Sequence, residues 1–453
     1  MPDKISSISP INKLPFELLC KIFITFAASL PVHDYPFHSF AHHTIQLSSV
    51  CTLWRQAVNA IPTLWNSINF TKQGTSLSEL RYTYLCLERS RNAPVHLRIG
   101  RMNFECPLPA MNVELSTLIH SIAPRLRSLA IAFWSFDLAK EILGTLDALA
   151  PNMLHELALH ATSGAKLLYA DSHFLPQESL DRILSALRYL YLDCVSLDWN
   201  MAYMSCRNLV ELQLIEIPMN GYPTSLRLTQ LLESNKGLKS VKFSRFELRD
   251  YTIHDGRASI ELPELTRIEM NMHPKFITWF FGLPITTTSD LSLRLRSYQV
   301  DADTMAVRVT LNAFFENHFV TSLCIWGDWL PFSCVSRTLR HLKTLMLYGH
   351  YLRKQVFEDM EEAATLLPHL HTIDIVECIA QIDDIEPGFR TLLSIPSMRE
   401  IGIVGTSLYA QRFSEQLLLD MDRTRQWLVQ GNISARISDA SRTDFYTFTA
   451  PLR

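Results

Sequence analysis

At 453 residues the chain exceeds the roughly 250 to 300 residues at which one core stops growing, so two domains or an elongated repeat array are expected. A hydrophobic content of 47% with 19% charged residues excludes an intrinsically disordered chain. The formal net charge of −3 gives no electrostatic footprint for phosphate, which argues against a nucleic-acid partner.

The opening MPDKISSISPINKLP lacks the apolar centre of a signal peptide. The longest apolar stretches, such as IFITFAASLPV, are shorter than a membrane span. An intracellular protein, cytoplasmic or nuclear and without a membrane partner, is the expectation. The nine cysteines form an odd, scattered set with no CxxC pair and no Cys-His spacing suited to zinc, which reads as buried free thiols. The two sequons, at Asn69 and Asn432, are taken as chance in a chain without a secretory signal.

The first predicted element is LPFELLCKIF, where Leu14, Leu18, Leu19, Ile22, Phe23 and Phe26 fall at helical spacing behind Pro15. The second runs from Leu47 to Ile61: Leu47, Val50, Cys51, Trp54, Ala57, Val58 and Ile61 recur at i, i+3, i+4 and i+7, with Ser48 and Ser49 as caps and Pro62 as a stop. Two such helices bury too little to stand alone, so their apolar faces need either the following segment or a partner protein. Between them His33, Asp34, His38, His42 and His43 could supply metal ligands, but the intervening Pro31, Pro36, Ser and Phe residues read as a solvated loop, and no metal or other cofactor is expected.

These residues resemble an F-box. The LPxELLxxIF opening is met by Leu14, Pro15, Glu17, Leu18, Leu19, Ile22 and Phe23, and the VCxxWR half by Val50, Cys51, Trp54 and Arg55, followed by PTLW to Trp65. The linker from Ala27 to Thr44 is longer than the family usually carries. The resemblance implies docking onto the Skp adaptor of an SCF-type ubiquitin ligase and, through it, onto a cullin. Leu14, Pro15, Leu18, Ile22, Val50, Cys51 and Trp54 would then lie in or beneath the adaptor interface. The alternative is an N-terminal helical cap whose apolar stripe is core.

Further along, WNSINF at 65–70 links the helices to the rest, Leu77 to Ser90 forms a helix, and PVHLRIG at 94–100 forms a further strand. A pattern of apolar-x-x-apolar-x-apolar then returns as LRSLAI, LHELAL, LRYLYL, LVELQL, LKSVKF, LTRIEM, the weaker TSDLSL, VTSLCI, LKTLML, LHTIDI and MREIGI. Its central residues are 129, 157, 190, 212, 241, 268, 291, 323, 345, 373 and 401, about 27 residues apart on average. Helical stripes lie between them, as at Leu138, Ile142, Leu143, Leu146 and Leu149, and at Leu180, Ile183, Leu184 and Leu187. Strand alternating with helix predicts an α/β protein with a parallel sheet.

The period resembles that of leucine-rich repeats, which implies a horseshoe solenoid. The family's Asn or Cys after the strand appears only as Cys378; Thr162, Val195, Phe246, His350 and Thr406 stand there in other repeats. The expected organisation is an all-α F-box domain over 1–70, a connecting helix and opening repeat over 71–125, the solenoid over 126–410 and a C-terminal cap over 411–453, in which Leu417 to Val429, ISARI and FYTFTA would cover the last repeat.

Residues alternating with the apolar ones should point to the concave face. Among them Tyr189, Tyr191, Trp326 and Tyr348, with Arg267 and Arg294, have the chemistry of protein-protein hot spots and are the expected target-binding set. No GxxxxGK, GxGxxG, GxSxG or HExxH occurs, and the pairs Glu361-Glu362 and Asp383-Asp384 are adjacent and diverge on a helix, so no catalysis by the chain is expected. The reading is thus a receptor that binds the adaptor through one end and a protein substrate through its repeats, with a repeat scaffold outside ubiquitination as the alternative.

Overall fold

The structure is a computed structural model that describes residues 11, 14–29, 40–72, 77–102, 108–133, 136–149, 153–161, 177–200, 205–252, 259–297, 304–330, 336–358, 366–381, 397–404, 407–409, 416–418 and 434–438. The chain divides into two compact units, Met1–Val195 with Thr447–Arg453, and Ser196–Tyr446.

The first unit opens with helices Phe16–Ser29, Phe40–Ser49 and Thr52–Ala60. The expected second helix is therefore broken. Leu47, Ser48 and Ser49 belong to a preceding helix that the sequence did not announce, and Ser48 and Ser49 turn their hydroxyls back on the carbonyls of Ile45 and Gln46 instead of capping the helix Thr52–Ala60. Thr44, a polar residue, anchors that preceding helix by donating its Oγ1 hydrogen to the Leu64 carbonyl at 3.0 Å. A parallel sheet comes next, with strands β1 (Ser67–Lys72), β2 (Val95–Met102), β3 (Leu126–Phe133), β4 (Glu156–Ala161) and β5 (Tyr189–Asp193) side by side in chain order. WNSINF is therefore the first rung of the ladder: Ile68 pairs with Leu97, and Leu97 with Leu129. Helices Leu77–Ser90, Leu108–Ile122, Phe136–Leu149 and Gln177–Ser185 occupy the intervals.

The second unit continues the same grammar with β6 (Glu211–Ile215), β7 (Ser240–Ser244), β8 (Ile260–Glu261), β9 (Arg267–Asn271), β10 (Ile285–Thr286), β11 (Leu291–Arg296), β12 (Val320–Trp326), β13 (Thr344–Tyr348), β14 (Tyr351–Leu352), β15 (Thr372–Val376), β16 (Ile379–Gln381), β17 (Glu400–Val404), β18 (Ser407–Tyr409), β19 (Gln416–Leu418) and β20 (Ser434–Ser438). The main sheet runs β6-β7-β9-β11-β12-β13-β15-β17-β20, parallel throughout. ISARI supplies its last strand; of the expected capping segment Leu417 to Val429 only Leu417 and Leu418, in β19, are among the described residues, and FYTFTA lies wholly outside them. Short strands pair as β8 with β10 and as β14-β16-β18-β19, the last pair antiparallel.

Register decides which side chains share a face. Val241 pairs with Ile268, Ile268 with Leu293, and Leu293 with Leu323. The centre of the weak repeat is thus Leu293 and not Leu291, because LSLRLR offers three alternating leucines and its sequence fits two frames. The inward residues, such as Val241, Phe243, Ile268, Met270, Leu323 and Ile325, are at most 1% exposed. Behind them helix Pro274–Phe281 buries Phe276, Ile277, Trp279, Phe280 and Phe281. Phe276 meets Phe243, Phe246 and Trp279 edge-on at ring-centre distances of 5.6, 5.3 and 5.4 Å. Asn235, 1% exposed, closes the end of helix Ser225–Glu233 by accepting from Leu209 N–H and donating to the carbonyls of Cys206 and Leu231. Buried polar groups placed this way are satisfied.

The strands also end alike. The residue after β5, β6, β7, β12, β13 and β15 is Cys194, Glu216, Arg245, Gly327, Gly349 and Glu377, each with φ between 47° and 73°. After all of these but Gly327 the next side chain enters the interior: Val195, Ile217, Phe246, His350 and Cys378 are buried there, whereas Asp328 is 57% exposed. At Val195, Phe246, His350 and Cys378 the degenerate position noted in the sequence is consequently a buried post-turn site whose occupant varies in chemistry but not in depth.

Candidate functional site

Two surfaces carry the residues singled out in the sequence. The first is built by the N-terminal helices. Helix Phe16–Ser29 starts after Pro15, whose carbonyl accepts from Leu18 and Leu19 N–H, both at 3.1 Å. Its inner stripe is Leu19 and Phe23, at 0% and 2% exposure. Phe23 packs edge-on against Trp54 with ring centres 4.9 Å apart. The neighbouring stripe at four-residue spacing, Leu18, Ile22 and Phe26, faces outward at 45%, 45% and 38% exposure.

Helix Thr52–Ala60 buries Ala57 and Val58, and the Trp65 indole N–H donates to the Val58 carbonyl at 2.9 Å, which fastens this helix to the start of the sheet. The break between helices leaves Val50 at 58% exposure. Pro15 is exposed too, whereas Leu14, Cys51 and Trp54 are half-buried. Phe16, Ile24 and Ile45 add further exposed apolar side chains that the motif did not mark. A helical seam is thus closed from within while its outer side remains greasy, the condition under which a surface gains from a partner.

The second surface is the outward face of the main sheet in the second unit. Register lays Ser240, Arg267, Ser292, Ser322 and Thr344 in one row, Lys242, Glu269, Arg294, Cys324 and Met346 in the next, and Ser244, Asn271, Arg296, Trp326 and Tyr348 in a third. Glu269 gathers three cations: Lys242 Nζ at 2.8 Å, Arg267 Nη2 at 3.0 Å and Arg294 Nη1 at 3.9 Å. Burial works to raise the Glu269 pKa, and the charges of Lys242, Arg267 and Arg294 outweigh it, holding the carboxyl below its ordinary range. Beside it the Cys324 thiol is pushed up to about 12, chiefly by burial, and is no nucleophile at neutral pH. Along the third row the Trp326 ring stacks on Tyr348 at 4.1 Å and 13°, and the Arg296 guanidinium lies 4.9 Å from its centre. The Tyr348 hydroxyl donates to Glu377.

Arg267, Arg294, Trp326 and Tyr348 therefore share one face of the second unit. Tyr189 and Tyr191 belong to the first unit, where the Tyr191 hydroxyl donates to Asp193 at 3.2 Å and the same carboxylate meets His160 Nδ1 at 2.7 Å. The expectation that alternate residues all stand open fails at β3. Ser128, Ala130 and Ala132 are buried, as is Arg98 at the position opposite Ala130, where burial lowers the guanidinium pKa despite the opposing charge of Glu156. Side chains this small stand below the level of their neighbours and do not reach water. Sequence reasoning passed over Lys242, Glu269 and Arg296, whose meaning comes from partners 25 to 30 residues away.

Among the described residues no group of three His, Cys, Asp or Glu could hold a metal ion. His33, Asp34 and His38 lie outside those residues, and positions 42 and 43 fall on the helix Phe40–Ser49. Cys86, Cys194, Cys206, Cys324 and Cys378 are buried free thiols, whereas Cys20 and Cys51 are half-buried. Among the described residues no helix is long and apolar enough to cross a membrane. No protein-family model matches the chain, and no curated protein matches it. A crystal structure of a Bacteroides fragilis protein is similar at 14% identity over 81% of this chain and 84% of its own, with a TM-score of 0.29, too slight a likeness to bear on function.

Proposed function

We propose that the protein is a substrate receptor of an SCF-type ubiquitin ligase. The helices between residues 14 and 61 dock on the Skp adaptor, which is attached to a cullin, and a leucine-rich-repeat solenoid holds a protein target. No chemistry of the chain's own is invoked: the receptor raises the effective concentration of target lysines near a ubiquitin-loaded enzyme carried elsewhere in the complex.

The observation that carries this reading is the outward stripe Leu18, Ile22 and Phe26 together with Val50, apolar and exposed on helices whose inner seam is already filled by Leu19, Phe23, Ala57 and Val58. A cap serving its own chain alone would turn those residues inward, since each fully buried leucine-sized side chain contributes about 1.5 to 3 kcal/mol.

Co-expression with the Skp adaptor tests it. A one-to-one complex that survives gel filtration, and that Leu18→Asp or Val50→Asp abolishes while the variant stays folded, is the expected result. A chain that elutes apart from the adaptor, or a complex indifferent to both substitutions, would leave a repeat scaffold without a ubiquitination role.

A further inference from the structure

In the first unit Arg55 donates to the Ser48 carbonyl at 3.1 Å, Arg125 to Ser90 Oγ at 3.0 Å, and Arg182 pairs with Asp147 at 3.0 Å, while Arg89 lies over the Trp65 ring. Arg127 and Arg188 have no such attachment. Both are exposed, and among the described residues neither side chain meets a carboxylate or any other hydrogen-bond acceptor. His155 stands between them. Its backbone N–H donates to the Arg127 carbonyl at 2.9 Å and its carbonyl accepts from Arg188 N–H at 2.8 Å, so the three occupy consecutive rungs where β3, β4 and β5 begin. The half-buried imidazole is arranged as a donor. Its Nδ1 is sealed from water without a partner, and such a nitrogen costs less as a lone pair than as an orphaned N–H, which leaves the ring proton on the accessible Nε2. Burial lowers the His155 pKa, and the charges of Arg127 and Arg188 lower it further with no carboxylate opposing them. Glu156 belongs to the following rung, opposite Ser128 and Tyr189, and its charge acts on Arg98. The second unit holds a near counterpart in Lys343, His371 and Arg399, again on consecutive rungs. There Lys343 meets Asp290 at 3.4 Å and His371 Nδ1 meets Thr372 Oγ1 at 3.1 Å.

We infer that Arg127, His155 and Arg188 form a binding site for a phosphate dianion, free or as a monoester. The site needs neither adaptor docking nor a target on the strand face of the second unit. Its outer two strands stand about 10 Å apart, close enough for two arginine side chains to meet over the imidazole between them. Charge and donor number select the ligand. A carboxylate is a monoanion that one guanidinium satisfies bidentately, whereas phosphate brings about two charges and three acceptor oxygens, one for each of the three side chains. Two permanent cations supply the charge, and the Nε2–H between them supplies a fixed donor.

The test titrates inorganic phosphate, at constant ionic strength, into the full chain carrying carbon-13 in its histidine rings, with the His155 resonance identified by its loss in His155→Asn. That resonance should move saturably. Arg127→Gln and Arg188→Gln, both at exposed positions that leave the fold intact, should each raise the dissociation constant about fivefold or more, whereas Arg399→Gln should leave it unchanged. Acetate should bind about tenfold more weakly than phosphate. Glucose phosphate and N-acetyl phosphoserine amide, as separate arms, distinguish the sources: the tighter of the two marks the ligand as a sugar phosphate or as a phosphorylated side chain. A His155 resonance that stays still, one that responds alike in the wild type and both arginine variants, or acetate bound as tightly as phosphate would overturn the inference.

Discussion

The N-terminal helices and the strand array treat the same kind of residue in opposite ways. In the array each alternate leucine, isoleucine or phenylalanine finds a neighbour one repeat away: Phe243 is closed off by Phe246, Phe276 and Phe280. On the helices Leu19 is covered and Leu18, one residue before it, is not. The difference shows where the chain completes its own interior and where it stops. A stacked repeat is covered by its neighbours, whereas the helix Phe16–Ser29 leaves the stripe Leu18, Ile22 and Phe26 exposed.

The largest effect belongs to the array. Phe276→Ala should cost about 3 to 5 kcal/mol, because the ring lies among Phe243, Phe246, Trp279 and Phe280 and the space it leaves cannot collapse onto rigid rings. A urea melt followed by far-ultraviolet circular dichroism measures it. A loss under about 1 kcal/mol would mean that the interior of the array is as loosely covered as the helices, and the contrast would disappear.

A smaller effect tests the post-turn site. His350 is buried, with Nε2 3.0 Å from the Ile325 carbonyl and Nδ1 3.0 Å from Asp328. Two acceptors favour the imidazolium, but burial outweighs them and lowers the pKa from its ordinary 6.5. Because Asp328 is 57% exposed, its charge is screened and does not offset that burial. Below pH 6.5 the unfolded chain therefore binds a proton that the folded chain refuses, and stability falls as pH falls, by up to about 1.4 kcal/mol per pH unit until the folded pKa is reached. Melting temperatures between pH 7.5 and 5 should show the decline in the wild type and a flatter profile in His350→Asn.

Gly349 sharpens the same point from the backbone. It sits at φ 64° with open space where a Cβ would stand, so Gly349→Ala carries a conformational cost alone, about 1 kcal/mol. Glu377, at φ 47° in the equivalent place one repeat on, should gain less than that as Glu377→Gly, because relief of the backbone is offset by loss of the carboxylate that accepts from the Tyr348 hydroxyl. If Gly349→Ala were neutral, the left-handed turn would be incidental to the repeat.

Much of this architecture was legible because period-two apolar runs have one buried side, so register follows from pattern. Val241, Ile268, Leu323, Leu345 and Ile373 align as their spacing implied, and the chain is the α/β protein with a parallel sheet that it promised. Legibility failed where the pattern was degenerate or the anchor polar. LSLRLR has two possible phases, and the helix Phe40–Ser49 is tied down by the hydroxyl of Thr44, a residue no apolar template counts. The cation cluster was hidden for another reason. Lys242, Glu269 and Arg294 are unremarkable singly and meet only across strands, so sequence marked Arg267 and Arg294 by type without showing that Glu269 holds both.

The smallest expected effect on stability falls on the helices, and its smallness is the point. Leu18→Asp and Val50→Asp alter side chains that are already about half in water, at 45% and 58% exposure, so each should change the unfolding free energy measured in urea by no more than about 0.5 kcal/mol. Leu19→Asp, one residue away at 0% exposure, should instead unfold the helical seam, because it seals a carboxylate away from water with no partner for its charge. Comparable losses from Leu18→Asp and Leu19→Asp would show that the outer stripe is structural after all. An innocuous Leu18→Asp beside a ruinous Leu19→Asp would mean that the chain maintains exposed leucine, isoleucine and valine at no benefit to its own fold, which leaves association with another molecule as their physical use.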